Sequence, residues 1–209
     1  MSQAQRITYV TYARMAEVLT ELGMVSREKA QGVLDEFARI AHEELTPHSH
    51  VVSALESFGV AVAIHADDVD FADEHYGRLL SRAAALTGGT VTVSGYRFER
   101  EDEDDEDDGD GFEEEDGFEE EDGRGVMHFE RNGEPLSFPV EQESNDYLDM
   151  GAAQAAIEAL SPDDDRDFRR ADNGPGTPPG RADDIMVLAT AEQREGLRRH
   201  LGITFCEPL

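Results

Sequence analysis

Apolar residues between positions 13 and 41 recur at helical spacing. Ala13, Met15, Ala16, Val18, Leu19 and Leu22 form one stripe, and Gly23 follows as a stop signal. Ser26 is placed to accept a backbone N–H at the start of a second helix, with Ala30, Val33, Leu34, Phe37, Ile40 and Ala41 on its inner face. Residues 8–45 therefore read as a helical hairpin. Pro47 interrupts it, and SHVVSALESF at 49–58 continues as a short helix. The run GVAVAI at 59–64 is apolar without a period, so it fits either a strand or a buried helix. A helix over 71–86 comes next, capped by Asp70, with Phe71, Tyr76, Leu79, Leu80, Ala83 and Leu86 inward and Thr87-Gly88-Gly89 closing it.

Beyond residue 89 the pattern changes to alternation. TVTVSGYRFE at 90–99 is rich in β-branched and aromatic residues and predicts a strand. VMHFER, the dipeptide Asn132-Gly133 and EPLSFPVE predict a hairpin, because Asn-Gly accepts the positive φ angles of a type I′ turn. The strand at 90–100 is expected to extend the same sheet. Asn145 or Asp146 is placed to begin a helix carrying Tyr147, Leu148, Ala152, Ala155, Ala156, Ile157 and Leu160. Phe168 falls in a short strand, NGPGTPPGR at 173–181 is a loop, and IMVLAT at 185–190 is a buried strand. Thr190 and Gln193 are spaced as a capping box for a last helix with Leu197 and Leu201 inward; Gly202 ends it, and ITF follows as a final strand. The expected fold is α+β: an N-terminal helical hairpin, then a mostly antiparallel sheet with helices packed against it, interrupted by a disordered acidic loop. Residues 1–66 form the N-terminal helical segment, and 67–209 form an α/β domain with an acidic insertion at 101–124.

Charge narrows what such a fold can bind. The 209-residue chain carries 48 acidic and 18 basic side chains, a formal net charge of −30. Residues 101–122 hold 17 carboxylates and no Lys or Arg, with DGFEEE at 110–115 repeated at 116–121. Repulsion and the scarcity of apolar residues favour disorder there. Without that run the remainder is still −13, from −30 and the 17 carboxylates removed. Direct binding of nucleic acid and of anionic membrane surfaces is disfavoured, since both need a basic face. Cationic partners are favoured. The one cysteine, Cys206, excludes an internal disulfide, and next to Phe205 it reads as a small buried hydrophobe. No secretory leader and no apolar stretch of about 18 residues is present, so the expected location is the cytoplasm.

Chemical motifs are sparse. Asp104, Glu106, Asp108, Gly109, Asp110 and Glu115 match part of a calcium-loop spacing, but position 3 is Glu, position 8 is Gly111, and no flanking helices are predicted. His48 and His50, with His42 upstream, make an HxH without a cysteine at the start of a predicted helix, which reads as surface histidines rather than a zinc site. His65, His75, His128 and His200 are scattered. No GxSxG, GxxxxGK[ST] or GxGxxG occurs. The helical hairpin has few basic residues on its second helix, so packing explains it better than DNA reading. No catalytic residue, metal or cofactor is expected.

Between residues 72 and 205 the order of elements resembles small, variable bacterial α/β domains found among immunity-type and accessory proteins of toxin systems. The resemblance rests on LTGG leading into a strand, on HFERNGEPLSFPVE, on ESNDYLDMGAAQAAIEAL and on VLATAEQREGLRRHLGITF. It implies a binding module rather than an enzyme. The expected function is inhibition of a basic toxin such as a nuclease; the alternative is a nucleic-acid mimic or an acidic chaperone-like factor for basic proteins. The expected partner is a basic protein, and the carboxylates expected to meet it are Glu141, Glu143, Asp146 and Asp149 in one group and Asp163, Asp164 and Asp165 in another.

Overall fold

The computed structural model describes residues 9–65, 72–100, 123–142, 148–174 and 183–207. In chain order the elements are α1 (Tyr12–Glu21), α2 (Arg27–Glu36), α3 (His48–Ser57), β1 (Ala61–Ile64), α4 (Ala72–Leu86), β2 (Val93–Arg100), β3 (Gly123–Arg131), β4 (Glu134–Gln142), α5 (Met150–Glu158), β5 (Arg166–Arg170), β6 (Asp184–Thr190) and α6 (Ala191–Leu201). The fold is α+β and every strand pair is antiparallel, divided between two three-stranded sheets ordered β1-β6-β5 and β2-β3-β4.

The first sheet is buried on both faces. Ile185, Val187 and Ala189 of β6 join a core with α1, α2, α3 and α6, while Met186 and Leu188 join a second core with Phe168, α4 and α5. A strand covered twice has no polar face, which is why IMVLAT reads as one apolar run. The same demand settles GVAVAI: it is a strand, because Ala61, Val62, Ala63 and Ile64 pair with Val187 through Asp184 and all four are buried. This pairing crosses the sequence division at residue 66. The second sheet lies beyond α4 and α5, covering them with Met127, Phe129 and Val140. The layers thus run helices, sheet, helices, sheet.

Local signals set most element ends. Thr11 Oγ1 accepts from Arg14 N (3.1 Å) and Ser26 Oγ from Lys29 N (3.1 Å). Thr190 and Gln193 form the reciprocal capping box at 2.9 and 3.1 Å, and Gly202 ends α6 at φ 74°. Asn132 and Gly133 have φ 54° and 84°, as the type I′ turn requires. Asn132 Oδ1 also accepts from Thr92 N at 2.8 Å.

Some boundaries differ from the sequence reading. The second helix stops at Glu36 because the chain folds back on α1, where Ala13 N donates to Ala41 O (2.9 Å) and Leu45 N to Val10 O (2.8 Å). Phe37 stacks on Tyr12 at 4.4 Å and Ala41 stays buried, but Ile40 turns outward. The strand expected from residue 90 begins at Val93, since Thr87 Oγ1 takes the Val91 N–H (3.1 Å) and holds that segment in a turn. ITF contributes a single bridge, Ala171 to Phe205, not a strand. The Asp70 cap, Phe71 and the acidic residues 101–122 lie outside the described residues. The strands flanking that run are neighbours, with Arg100 opposite Gly125.

Two glycines test this account. Gly133 has positive φ and open space where a Cβ would go, whereas Gly32 is helical, exposed and equally open. Gly133→Ala should lose roughly 1–2 kcal/mol of stability from left-handed backbone alone. Gly32→Ala should gain about 0.5–1 kcal/mol. Urea unfolding of both variants checks that the signs are opposite.

Candidate functional site

Helix α5 organises the carboxylates singled out by sequence. It begins at Met150 because Asp149, with extended backbone, accepts the Ala152 N–H on Oδ1 at 3.0 Å. Its other oxygen accepts the Glu141 N–H of β4 at 2.9 Å. Its own N–H donates to the hydroxyl of Tyr76 in α4 at 2.9 Å, and Tyr76 is fully buried. Asp149 therefore joins α4, β4 and α5. This corrects two expectations: the cap is not Asn145 or Asp146, and Asp149 is not a carboxylate that can be neutralised without structural cost. Glu143, Asn145 and Asp146 lie outside the described residues.

Glu141 remains available. It is exposed near the end of β4, opposite Arg124, and its side chain makes no ion pair among the described residues. Asp163, Asp164 and Asp165 lie past the other end of α5. Asp163 pairs with Arg131 (2.9 Å), which also donates to Ser161 O (2.8 Å). Asp164 takes two arms of Arg166 at 3.0 and 2.6 Å, and those bonds hold its carboxyl below the usual carboxylate range. Asp165 is exposed and makes no side-chain hydrogen bond or ion pair among the described residues, though its charge acts on Arg166. The nine residues of α5 between Asp149 and Asp163 span roughly 14 Å at helical rise. The two groups accordingly occupy opposite ends of the β4–α5 unit. The end bearing Glu141 is also where the acidic run joins the second sheet, because Arg100 faces Gly125 and Arg124 faces Glu141.

Basic side chains are largely committed to internal partners. Arg82 pairs with Glu56, Arg194 with Asp167, Arg169 with Asp167 and Glu158, and Arg198 and Arg199 with Glu195. The Glu195 carboxyl is held down at about 2, chiefly by Arg198. Glu158 moves the other way, raised mainly by burial.

Sequence reading missed a buried polar cluster between α5 and the first sheet. Gln154 and Asp184 are buried, the Gln154 amide donates to Asp184 Oδ2, and Arg170 donates to Oδ1 at 3.1 Å. With both oxygens occupied, Asp184 holds α5, β5 and β6 together rather than offering a base. The visible signal was Gln154, a polar residue among the alanines of the inward stripe. Cys206 is half-exposed, not buried as expected; its N–H donates to Arg170 O at 2.9 Å and its side chain meets Arg170. His65 Nδ1 contacts Asp183 at 2.8 Å.

Metal chemistry gains no support from the geometry. His48 and His50 sit in the first turn of α3, where residues two apart point to different sides, and His48 packs against Gly174. Among the described residues no group of three or more His, Cys, Asp or Glu could hold a metal ion. The calcium-loop residues 104–115 lie outside the described residues. No helix among the described residues is long and apolar enough to cross a membrane. No family model, no curated protein and no solved structure matches this chain.

Replacing Asp149 with Ala should cost about 2 kcal/mol, combining a lost cap with a lost strand contact. Glu141→Gln and Asp165→Asn should stay within about 0.5 kcal/mol of the parent. Chemical denaturation of the three variants separates the structural carboxylate from the two open ones. A second test concerns His75, whose pKa is lowered from 6.5 by burial first, then by Arg78, His65 and Arg82. The folded state thus favours the neutral ring. The stability this contributes is present above pH 6.5 and lost as pH falls below it. Melting temperatures followed downward from neutral pH should fall less steeply in His75→Gln.

Proposed function

We propose that this chain is an acidic protein-binding module that acts in the cytoplasm and occupies the basic surface of another protein, in the manner of an immunity-type inhibitor of a toxin nuclease. A nuclease must present a basic site to its anionic substrate, and an acidic protein can steer onto that site and block it. The observation that carries this reading is the end of the second sheet to which the acidic sequence of residues 101–122 is attached, next to Arg100 and Arg124. There Glu141 is exposed and unpaired among the described residues, beside the two strand ends from which the 17 carboxylates of residues 101–122 depart. Asp163 and Asp164, already held by arginines, are demoted as contact residues, whereas Asp165 is retained.

The density of the acidic run favours a second reading, in which that run alone imitates a polyanion or shields basic proteins. Deletion of residues 101–122 separates the two. It leaves Gly123-Arg124 between the partners Arg100 and Gly125, a two-residue connection with Gly first, which suits a type II′ turn. The second sheet should therefore survive, giving up the outermost pairs of β3 with β4.

The test uses purified basic nuclease domains, the intact chain and the deletion variant. Inhibition by both proteins supports the folded surface, and inhibition by the intact chain alone supports the run. For an inhibited nuclease, the association rate should fall with added salt more than the dissociation rate rises, since the screening length is already about 8 Å at 0.15 M. An association rate that does not change with salt removes the electrostatic mechanism. Absence of inhibition across such domains, with no complex detected, removes the inhibitor reading.

A further inference from the structure

Alternate residues of β3 face away from the core. Met127 and Phe129 are buried, so Val126, His128 and Glu130 lie on the open face of the second sheet. The cross-strand register puts Arg97, His128 and Ser137 in one row, with Glu99 two residues along β2. Their side chains are linked. Ser137 Oγ lies 2.8 Å from His128 Nδ1, His128 Nε2 lies 3.2 Å from Glu99 Oε2, and Arg97 donates to Glu99 Oε2 at 2.6 Å.

The roles follow from the donors available. The bond from Arg97 lowers the Glu99 pKa, so this carboxylate is ionised and can only accept. His128 Nε2 must then carry the proton. In the neutral ring that leaves the lone pair on Nδ1, facing the Ser137 hydroxyl. Nucleophile, base and orienting carboxylate come from three different strands, and no sequence motif registers such an arrangement. Ser137 is exposed, so an electrophile can reach it.

We propose that Ser137 is an activated nucleophile that accepts acyl or phosphonyl groups from activated donors, a property independent of the binding reading above. Ser137 Oγ forms a bond to the carbonyl carbon of an aryl ester, or to the phosphorus of a fluorophosphonate. His128 Nδ1 takes the hydroxyl proton, and the aryloxide or fluoride leaves with the electron pair of the bond that breaks. The imidazolium then returns its proton to the leaving group or to water. Pro135 and Pro139, two residues to either side of Ser137, have no N–H, so neither can add a backbone donor to an oxyanion. The substrate class is therefore limited to donors with good leaving groups and excludes unactivated amides.

The same face holds an internal control. Ser94 is also exposed, but its Oγ donates to the Glu130 carboxylate at 2.9 Å instead of to an imidazole. The full chain is treated with a fluorophosphonate probe, and labelling of the two serines is compared by peptide mapping. Ser137 should label much faster than Ser94. His128→Ala should cut Ser137 labelling by about 10²-fold, and added imidazole should restore part of it, which a purely structural role would not allow. Equal labelling of both serines, labelling of neither, or a rate unchanged in His128→Ala overturns the proposal. Because the Ser137 to Ser94 ratio is read within one molecule, and unfolded chains would bring it toward unity, loss of the fold cannot imitate the expected result.

Discussion

A strand with apolar side chains on both faces has to be covered twice, and β6 is such a strand. Asp184 to Ala189 are all buried, and the two sets of alternate residues enter two different cores. One cover is built from the N-terminal helices and α6. The other is α4 with α5, which bury one side on the first sheet and so need a cover of their own. The second sheet supplies it through Met127, Phe129 and Val140. Each large apolar side chain enclosed in this way contributes about 1.5–3 kcal/mol. The number of layers thus follows from the central strand.

Stacking alone would leave the layers free to slide, and polar contacts fix their registration. Asp149 ties the start of α5 to the end of β4 and to Tyr76 of α4. Asp184 ties the middle of α5 to β5 through Gln154 and Arg170. Only the Gln154 to Asp184 bond is fully buried, where an unpaired donor would cost roughly 1–3 kcal/mol. The free edges are handled by similar means. Glu56 accepts the Ala63 N–H on the outer side of β1, and Ser161 accepts that of Phe168 on β5. On β4, Pro135 and Pro139 have no N–H to offer another strand.

Features determined by a few neighbouring residues were legible in the sequence. The Asn132-Gly133 turn, the Thr190 and Gln193 capping box, the Gly202 stop and the buried strand at 185–190 are all legible in this way. Each depends on local backbone preference or on one unbroken apolar run. Features that depend on distant partners were not legible. Asp149 and Asp146 are equally good caps in isolation, and only the positions of Glu141 N–H and Tyr76 favour Asp149. Helical spacing carried the second helix to Ala41, because contacts of residues 41 and 45 with residues 13 and 10 leave no local trace. The same limit applies to the candidate sites. Composition identified an excess of carboxylates, but which ones are held by arginine is a matter of tertiary structure, and the Ser137–His128–Glu99 row exists only once three strands are in register.

Where the charge sits explains how a chain of net charge −30 still folds. The scarce arginines lie beside carboxylates at the joints between elements: Arg131 and Asp163 near the turn of β3 with β4, Arg166 and Asp164 at the entry to β5, Arg194 and Asp167 between α6 and β5. Such pairs add little stability singly at an exposed surface. Their effect is to remove like-charge repulsion from the places where the layers meet. Exposed carboxylates without an ion pair among the described residues are spread over the rest of the surface, Glu21, Glu28, Glu36, Glu43 and Glu44 around the N-terminal helices and Glu141 near the attachment points of residues 101–122. Repulsion there falls on exposed side chains rather than on the core. Excess charge is tolerable to a fold when it is carried by side chains that no other layer must cover, and a side chain left uncovered is also one that a cationic partner can reach.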